Sequence, residues 1–438
     1  MKQATVAIIG RPNVGKSTFF NTIAGKRLSI VDDSPGVTRD RVMTSVEWTG
    51  VTFTMVDTGG VDFSQEHYQK HIREQVDIAI SLADTIVMLV DAKAGLNQND
   101  SEIAQMLRKS KKPLILAVNK ADNRNMVDNE FYKLGIKKMH FISCTQKTGL
   151  GDLLDDIVAT FESSAKEQEP TETKRIALVG RPNAGKSSIL NKLVGEKRVM
   201  VSDQAGTTRD TIDTPFRFNG RDFILTDTAG IRRKRSIEEQ TVEHYSVLRS
   251  LAAIRNSDVT VMVIDANEGL TEQDVRLIGY ANEQGKPSVI CINKWDLIEK
   301  DTHTINKFEK QLKIDLAFMS YFKSIYISAL TGQRIGEIMK AVDFVLERAQ
   351  TKITTGVLNT LIGQFVATTP PPFVGNKKAK FSYSTQIGVA PPTFALFVND
   401  PEAVPSSYLR YLENCLRKSV DLTGTPVRMV LRSKGGRN

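Results

Sequence analysis

Val6-Ala-Ile-Ile-Gly-Arg-Pro-Asn-Val-Gly-Lys-Ser17 recurs 170 residues later as Ile176-Ala-Leu-Val-Gly-Arg-Pro-Asn-Ala-Gly-Lys-Ser187. In both places a strand-length apolar run meets Gly-x4-Gly-Lys-Ser and then a helical pattern. The glycines Gly10, Gly15, Gly180 and Gly185 let backbone N–H groups curl around phosphate oxygens, and the helix N-terminus adds positive potential. In such a loop Lys16 and Lys186 reach the β/γ-phosphates, and Ser17 and Ser187 ligate Mg2+. One copy could be a tight turn with no ligand. Two copies in the same strand–loop–helix setting argue against that.

The repeat extends outward from the loop. Val37-Thr-Arg-Asp40 returns as Thr207-Thr-Arg-Asp210, and Asp57-Thr-Gly-Gly60 as Asp227-Thr-Ala-Gly230, both at an offset of 170. Asn119-Lys-Ala-Asp122 returns as Asn293-Lys-Trp-Asp296, where a loop insertion has widened the offset to 174. The unit is far longer than a solenoid repeat, so the chain holds two copies of one domain. Short apolar runs such as Thr85–Val90 and Val259–Ile264 lack alternation. They predict strands buried on both faces, hence an α/β fold with a mostly parallel sheet flanked by helices.

Residues 1–162 form the first copy and 174–350 the second, joined by a polar linker over 163–173. From 351 to 438 the pattern changes to helix, two strands, helix and strand, a small α+β domain. Phe381/Tyr383 and Phe394/Leu396/Val398 are taken there as alternating, half-buried strands.

The repeated motifs carry specific chemistry. Asp57 and Asp227 end apolar strands and can hold the Mg2+ shell, while Gly60 and Gly230 can offer a backbone N–H to a γ-phosphate. Thr38 and Thr208 can add a second hydroxyl to Mg2+. Asp122 and Asp296 choose the base, because a carboxylate accepts from both N1–H and the 2-amino group of guanine. Adenine has no such pair of donors, and the carboxylate would be left unpaired. Asn119, Lys120, Asn293 and Lys294 belong to the same guanine motif, and the loops at Ser143-Cys144 and Ser328-Ala329 can back the base with main-chain N–H groups. The nucleotide is therefore GTP/GDP with Mg2+, and the reaction is attack of water on the γ-phosphate. Val61 and Ile231 stand where a water-orienting glutamine would be expected, which predicts slow unaided hydrolysis.

Composition bounds the rest. The chain has 438 residues, 40% hydrophobic and 25% charged, a globular balance. Its three cysteines, Cys144, Cys291 and Cys415, are too few and scattered for a disulfide framework and suit a reducing compartment. No apolar run reaches the ~18 residues of a membrane span. The net charge of +9 is concentrated at the end: residues 351–438 carry 11 Lys and Arg against 4 Asp and Glu. Candidate RNA contacts are Arg232, Arg233, Lys234 and Arg235, then Lys377, Lys378 and Lys380, and the tail from Arg432 to Arg437. The first copy has Asp62-Phe-Ser-Gln where the second has the Arg232–Arg235 patch, so the two copies have diverged in role. His67 and His71 are four apart on a helical pattern, but no third metal ligand accompanies them and a polar helix face is expected. Trp48 and Trp295 are packing residues.

The motif order, the duplication and the tail resemble the double-Era-like bacterial GTPases, the Der or EngA family, over nearly the whole chain. The resemblance implies a cytoplasmic GTPase that associates with the large (50S) ribosomal subunit and supports its assembly. Ribosomal RNA and protein regulators are the further partners expected, and the chain is expected to be monomeric. It also implies activation by K+, held by the P-loop asparagines Asn13 and Asn183. The tail resembles the family's KH-like domain, yet residues 351–438 contain no Gly-x-x-Gly, the loop with which KH domains clamp a nucleic-acid backbone. At Cys144 alanine is more usual. The alternative is a nucleotide-gated protein-interaction or membrane-surface switch with no ribosomal role. A partner of an RNA-modifying enzyme would carry a modification domain, and the sequence has none.

Overall fold

The structure, a computed structural model, describes residues 4–25, 43–58, 68–122, 129–162, 173–195, 199–201, 213–226 and 239–433. The chain divides into two compact units, one of residues 1–172 with 233–256, the other of 173–232 with 257–438.

The sheet of the first unit contains β1 (Ala4–Ile9), β2 (Met43–Trp48), β3 (Val51–Asp57), β4 (Thr85–Asp91), β5 (Leu114–Asn119) and β6 (Lys138–Phe141), in the order β2-β3-β1-β4-β5-β6. Only the β2–β3 pair is antiparallel. Its turn is Thr49-Gly50 with φ of 49° and 78°, the doubly positive pair of a type I′ hairpin. The apolar runs conceal a period of two. Val6, Ile8, Val87, Leu89, Ile115 and Ala117 enter one core, which the helices Lys16–Gly25 and Leu150–Glu162 cover. Ala7, Ile9, Met88, Val90, Leu116 and Val118 enter the other, under Tyr68–Leu82 and Gln98–Lys109. Burial on both faces is why these strands are apolar throughout. The helix Glu239–Arg255 also belongs to this unit, with Arg255 Nη1 donating to Thr5 Oγ1 at 2.7 Å and Arg255 pairing with Asp84.

The second unit repeats the plan. β7 (Lys174–Val179), β8 (Val199–Val201), β9 (Thr214–Phe218), β10 (Arg221–Thr226), β11 (Val259–Asp265), β12 (Ser288–Asn293) and β13 (Lys323–Tyr326) lie in the order β13-β12-β11-β7-β10-β9-β8. In both sheets the first strand of the copy, β1 or β7, sits where the strand order reverses. Loops leaving the carboxyl ends of the strands there converge on one crevice, the usual ligand position in open α/β sheets.

Residues from 351 on build a three-stranded sheet, β16 (Phe381–Gly388), β17 (Thr393–Val398) and β18 (Arg428–Ser433), backed by the helices Thr355–Thr368 and Ser406–Ser419. Leu358 and Ile362 of the first helix and Leu412 and Leu416 of the second meet Phe394, Leu396 and Val398 in one core. The sequence pattern misses two things here. A small hairpin, β14 (Phe373–Val374) with β15 (Lys377–Lys378), precedes the sheet. A register shift between Phe381 and Tyr383 also puts those two residues on opposite faces, not one. Phe381 packs towards the helices, its ring 5.9 Å from that of Tyr408, while Tyr383 lies against Phe397 at 5.7 Å.

This small domain is welded to the second copy. Gly424 N–H donates to Tyr321 O at 2.6 Å, and Ser288 N–H donates to Gly424 O at 2.7 Å. The Arg417 guanidinium lies 3.6 Å over the Tyr321 ring, and Arg348 pairs with Asp421 at 2.8 Å. Arg428 Nη2 donates to Glu283 O at 3.0 Å.

Candidate functional site

Both glycine loops follow the first strand of their copy and open directly into helices, Lys16–Gly25 and Lys186–Gly195. Gly15 and Gly185 have φ of +95° and +98°, which disfavours any side chain, and a Cβ at either would strike the amide of Asn119 or Asn293. Lys16 Nζ donates at 2.8 Å to both Gly10 O and Arg11 O. Lys186 does the same to Gly180 O and Arg181 O, at 2.6 and 2.7 Å. Each ammonium therefore sits across the mouth of its loop, where a phosphate would meet it. Asn13 and Asn183 are exposed and left-handed, with φ of 66° and 64°. Asparagine tolerates that conformation better than most residues, so the turn alone accounts for its presence.

The Asn119 side chain binds three loops together. Its Nδ2 donates to Val14 O at 2.9 Å and its Oδ1 accepts from Cys144 N–H at 3.2 Å. In the second copy Asn293 Nδ2 donates to Ala184 O at 2.8 Å and Oδ1 accepts from Ala329 N–H at 2.9 Å. Both asparagines are buried, and both are engaged with protein rather than directed to open space. The amides of Cys144 and Ala329 point to those asparagines too. Burial pushes the Cys144 thiol up to about 12, so it stays a neutral, inert group.

Lys120 Nζ donates to Asn13 O at 2.8 Å and to Asp91 Oδ2 at 2.6 Å, and Lys294 pairs with Asp265 at 2.5 Å. Burial raises the Asp91 carboxyl, but the Lys120 ammonium and the amides of Ala94 and Lys93 outweigh it and hold it below the usual range. Lys120 thus lays its stem between the glycine loop and the guanine motif.

The carboxylates expected to read the base differ between copies. Asp122 accepts from Lys93 Nζ at 2.6 Å and from Ser143 Oγ at 2.7 Å, and these partners hold it below its usual range. In the second copy Asn267 stands in the place of Lys93. There Asp296 Oδ1 is buried with no hydrogen-bond partner. An orphaned carboxylate oxygen is costly unless a ligand donor completes it, and guanine N1–H and the 2-amino group are donors of the right kind. Ser328 sits as Ser143 does, its Oγ accepting from Thr331 N–H at 3.2 Å.

For the metal, Ser17 Oγ lies 3.4 Å from Asp57 Oδ2, with Asp57 buried at the end of β3. A hydroxyl and a carboxylate oxygen at that spacing suit a hard cation such as Mg2+. Ser187 opens the equivalent helix. Thr38, Thr208, Gly60, Gly230, Asp227, Val61, Ile231, His67 and the Arg232–Arg235 patch lie outside the described residues. Of the basic candidates in the tail, Lys377 is paired with Asp400 at 2.8 Å, Lys378 covers the Phe373 ring at 5.5 Å, and Lys380 is exposed. Trp48 and Trp295 are packing residues as expected, with Trp295 wedged against Phe308 and Tyr326.

Two equivalent ion pairs, one in each copy, are missed by the motif reading. Arg11 Nε meets Asp100 at 3.1 Å and Arg11 Nη2 donates to Gly95 O at 3.2 Å. Arg181 Nε likewise meets Asp274 at 3.2 Å and pairs with Glu268. Asp100 and Asp274 are the third residues of helices capped by Asn97 and Thr271, each closing a capping box. Their recurrence at matching positions of the two copies was the available signal.

The comparisons with known proteins agree with this geometry. The family model "50S ribosome-binding GTPase" matches residues 5–120 and 175–294, and "KH-domain-like of EngA bacterial GTPase enzymes, C-terminal" matches 352–432. The elongation factor Tu GTP binding domain model matches 243–348. The chain is 48% identical over 441 residues to GTPase Der of Alkaliphilus metalliredigens, covering 100% of both. It is 49% identical over 437 residues to GTPase Der of Clostridium perfringens, covering 99% of this chain and 100% of that one. To GTPase Der of Desulfitobacterium hafniense it is 50% identical over 437 residues, covering 99% of each. With two copies of the guanine-nucleotide constellation, a KH-like tail and similarity along its full length, the chain belongs to the Der family of GTPases and is a GTP-hydrolysing enzyme.

Proposed function

We propose that this GTPase acts in assembly of the large ribosomal subunit, binding ribosomal RNA in a way that depends on its nucleotide state. The observation behind this reading is that a family described as 50S ribosome-binding GTPases matches both copies. The second copy without residues 233–256 also forms one compact unit with the basic tail, so a nucleotide-dependent change there has a direct route to it. The working units are a first GTPase domain at 1–162, a linker at 163–173, a second GTPase domain at 174–350 and the KH-like domain at 351–438. The protein is cytoplasmic and works as a monomer. Among the described residues no helix is long and apolar enough to cross a membrane.

In each site the glycine loop and Lys16 or Lys186 bind the β/γ-phosphates, Asp122 or Asp296 reads guanine, and Asn119 or Asn293 positions the loops around it. Ser17, Asp57 and Thr38, with Ser187, Asp227 and Thr208, would hold Mg2+. Bound there, the metal would supply charge neutralisation on the phosphate oxygens. A water oxygen attacks the γ-phosphorus, the bond to the β–γ bridging oxygen breaks, and GDP leaves with that electron pair. Val61 and Ile231 cannot orient the water, so unaided turnover is slow. Asn13 and Asn183 would hold K+, which would offset part of the developing charge.

Co-sedimentation with purified large subunits tests the ribosomal reading. Binding that differs between GDP and a non-hydrolysable GTP analogue is expected. Absence from the subunit in both states would overturn it in favour of a protein or membrane-surface switch.

A further inference from the structure

The register of the KH-like sheet brings Tyr383, Phe397 and Arg432 into one row across β16, β17 and β18. The row lies on the face away from the helices. Leu396 and Val398 are in the core beneath the helices, and Leu431 packs against it, so their neighbours Phe397 and Arg432 point the other way. The bulge after Phe381 moves Tyr383 onto that outer face. Tyr383 is 46% exposed, Phe397 half-buried and Arg432 exposed, with the two rings 5.7 Å apart and tilted by 52°.

At the other end of the same face, Arg428 is turned to Glu283 of the second GTPase domain. The docked end and the open end are thus distinct. Charge distinguishes the open end further. All four acids of 351–438 have basic partners: Asp400 and Glu402 with Lys377, Glu413 with Arg417, and Asp421 with Arg348. Arg432 and Lys380 have no ion pair among the described residues, and Lys380 immediately precedes the strand that carries Tyr383.

We propose that the row Tyr383–Phe397–Arg432 is a stacking platform for unpaired bases of single-stranded RNA. Aromatic rings on a sheet offer π-faces that any base can stack on, and a guanidinium plane at the end of the row serves a base or a phosphate equally well. The cations Arg432 and Lys380 match a polyanion. A sheet platform also explains how a KH-like domain without Gly-x-x-Gly can hold RNA. The proposal rests on the reading of RNA as partner and names its contact surface.

The test titrates the full-length protein, with GDP and with a non-hydrolysable GTP analogue, against a labelled oligouridylate of about eight nucleotides, the span of an ordinary single-strand site. A blunt RNA duplex is the control. The single strand should bind more tightly. Tyr383→Ala should weaken it roughly 5- to 100-fold, while Tyr383→Phe, which keeps the ring, should bind as the parent does. Arg432→Gln should weaken binding and lower the salt slope by about 0.7, the loss of one phosphate contact; Tyr383→Ala should leave the slope unchanged. Unchanged melting temperatures and GTP turnover in these variants confirm that the fold survives. Binding indifferent to both Tyr383→Ala and Phe397→Leu, preference for the duplex, or no RNA binding in either nucleotide state would overturn the platform. Large-subunit co-sedimentation separates the two readings. Retained co-sedimentation with single-strand binding indifferent to Tyr383→Ala removes the platform alone. A stacking-dependent single-strand affinity without co-sedimentation removes the ribosomal role alone.

Discussion

The Arg11 guanidinium and the Asp100 carboxylate, 89 residues apart in sequence, meet at 3.1 Å behind the first glycine loop. The pair fixes the loop to the start of the helix Gln98–Lys109, and Asp100 is fully buried. Removing one partner of a buried pair leaves the other charge uncompensated. Asp100→Ala should therefore destabilise the first unit by about 3 kcal/mol and weaken nucleotide binding at the first site. Thermal unfolding and titration with a fluorescent GDP would check this, and an unchanged first-site affinity would remove the bracing role.

Gly185→Ala sets a Cβ against the Asn293 amide at a φ of +98°. Nucleotide binding at the second site should be lost while the first remains. Equilibrium dialysis should then give one bound guanine nucleotide per chain in place of two.

Potassium and sodium should give different turnover rates, faster in KCl. The left-handed backbone at Asn183 means an alanine there would strain the loop whatever the side chain does. Asn183→Gly keeps the backbone and removes only the amide. If that amide ligates K+, the glycine variant loses the KCl advantage of the second site; equal rates in both salts for the parent would dispose of K+ activation.

Glu283 ends the helix Glu272–Glu283 where Arg428 of the tail meets it, and burial pushes its carboxyl up to about 7. A pKa raised by folding means that the native state binds the proton more tightly than the unfolded chain. Stability then falls as pH rises from about 4.5 to about 7 and is level above. Glu283→Gln should be more stable than the parent by about 1–3 kcal/mol at pH 8, and indistinguishable at pH 4. Urea unfolding at the two pH values measures the difference; a constant gap would mean that the titration plays no part.

Asp296→Asn replaces an acceptor with a donor at the base edge. Affinity should move from GTP towards XTP at the second site, since xanthine carries a carbonyl where guanine has its amino group. Unaltered GTP binding would show that Asp296 does not read the base.

Much of this protein is local in origin. The glycine loops, the Asp-Thr-Gly and Asn-Lys-x-Asp segments and the apolar strands are legible from the residues alone, because each is contiguous chemistry and the duplication repeats it. Backbone conformation and strand burial follow from composition over a few residues, so the two α/β copies are legible in the sequence. Tertiary structure alone decided which atoms those motifs face. Asn119 and Asn293 turn to the glycine loop and to Cys144 or Ala329, Arg11 finds Asp100, and of Asp122 and Asp296 only Asp296 has a buried oxygen with no partner. In the tail, one bulge moved Tyr383 to the face opposite Phe381, and strict alternation had put them together. Long-range pairs and register shifts depend on how distant segments close on each other, and no window of sequence contains that information.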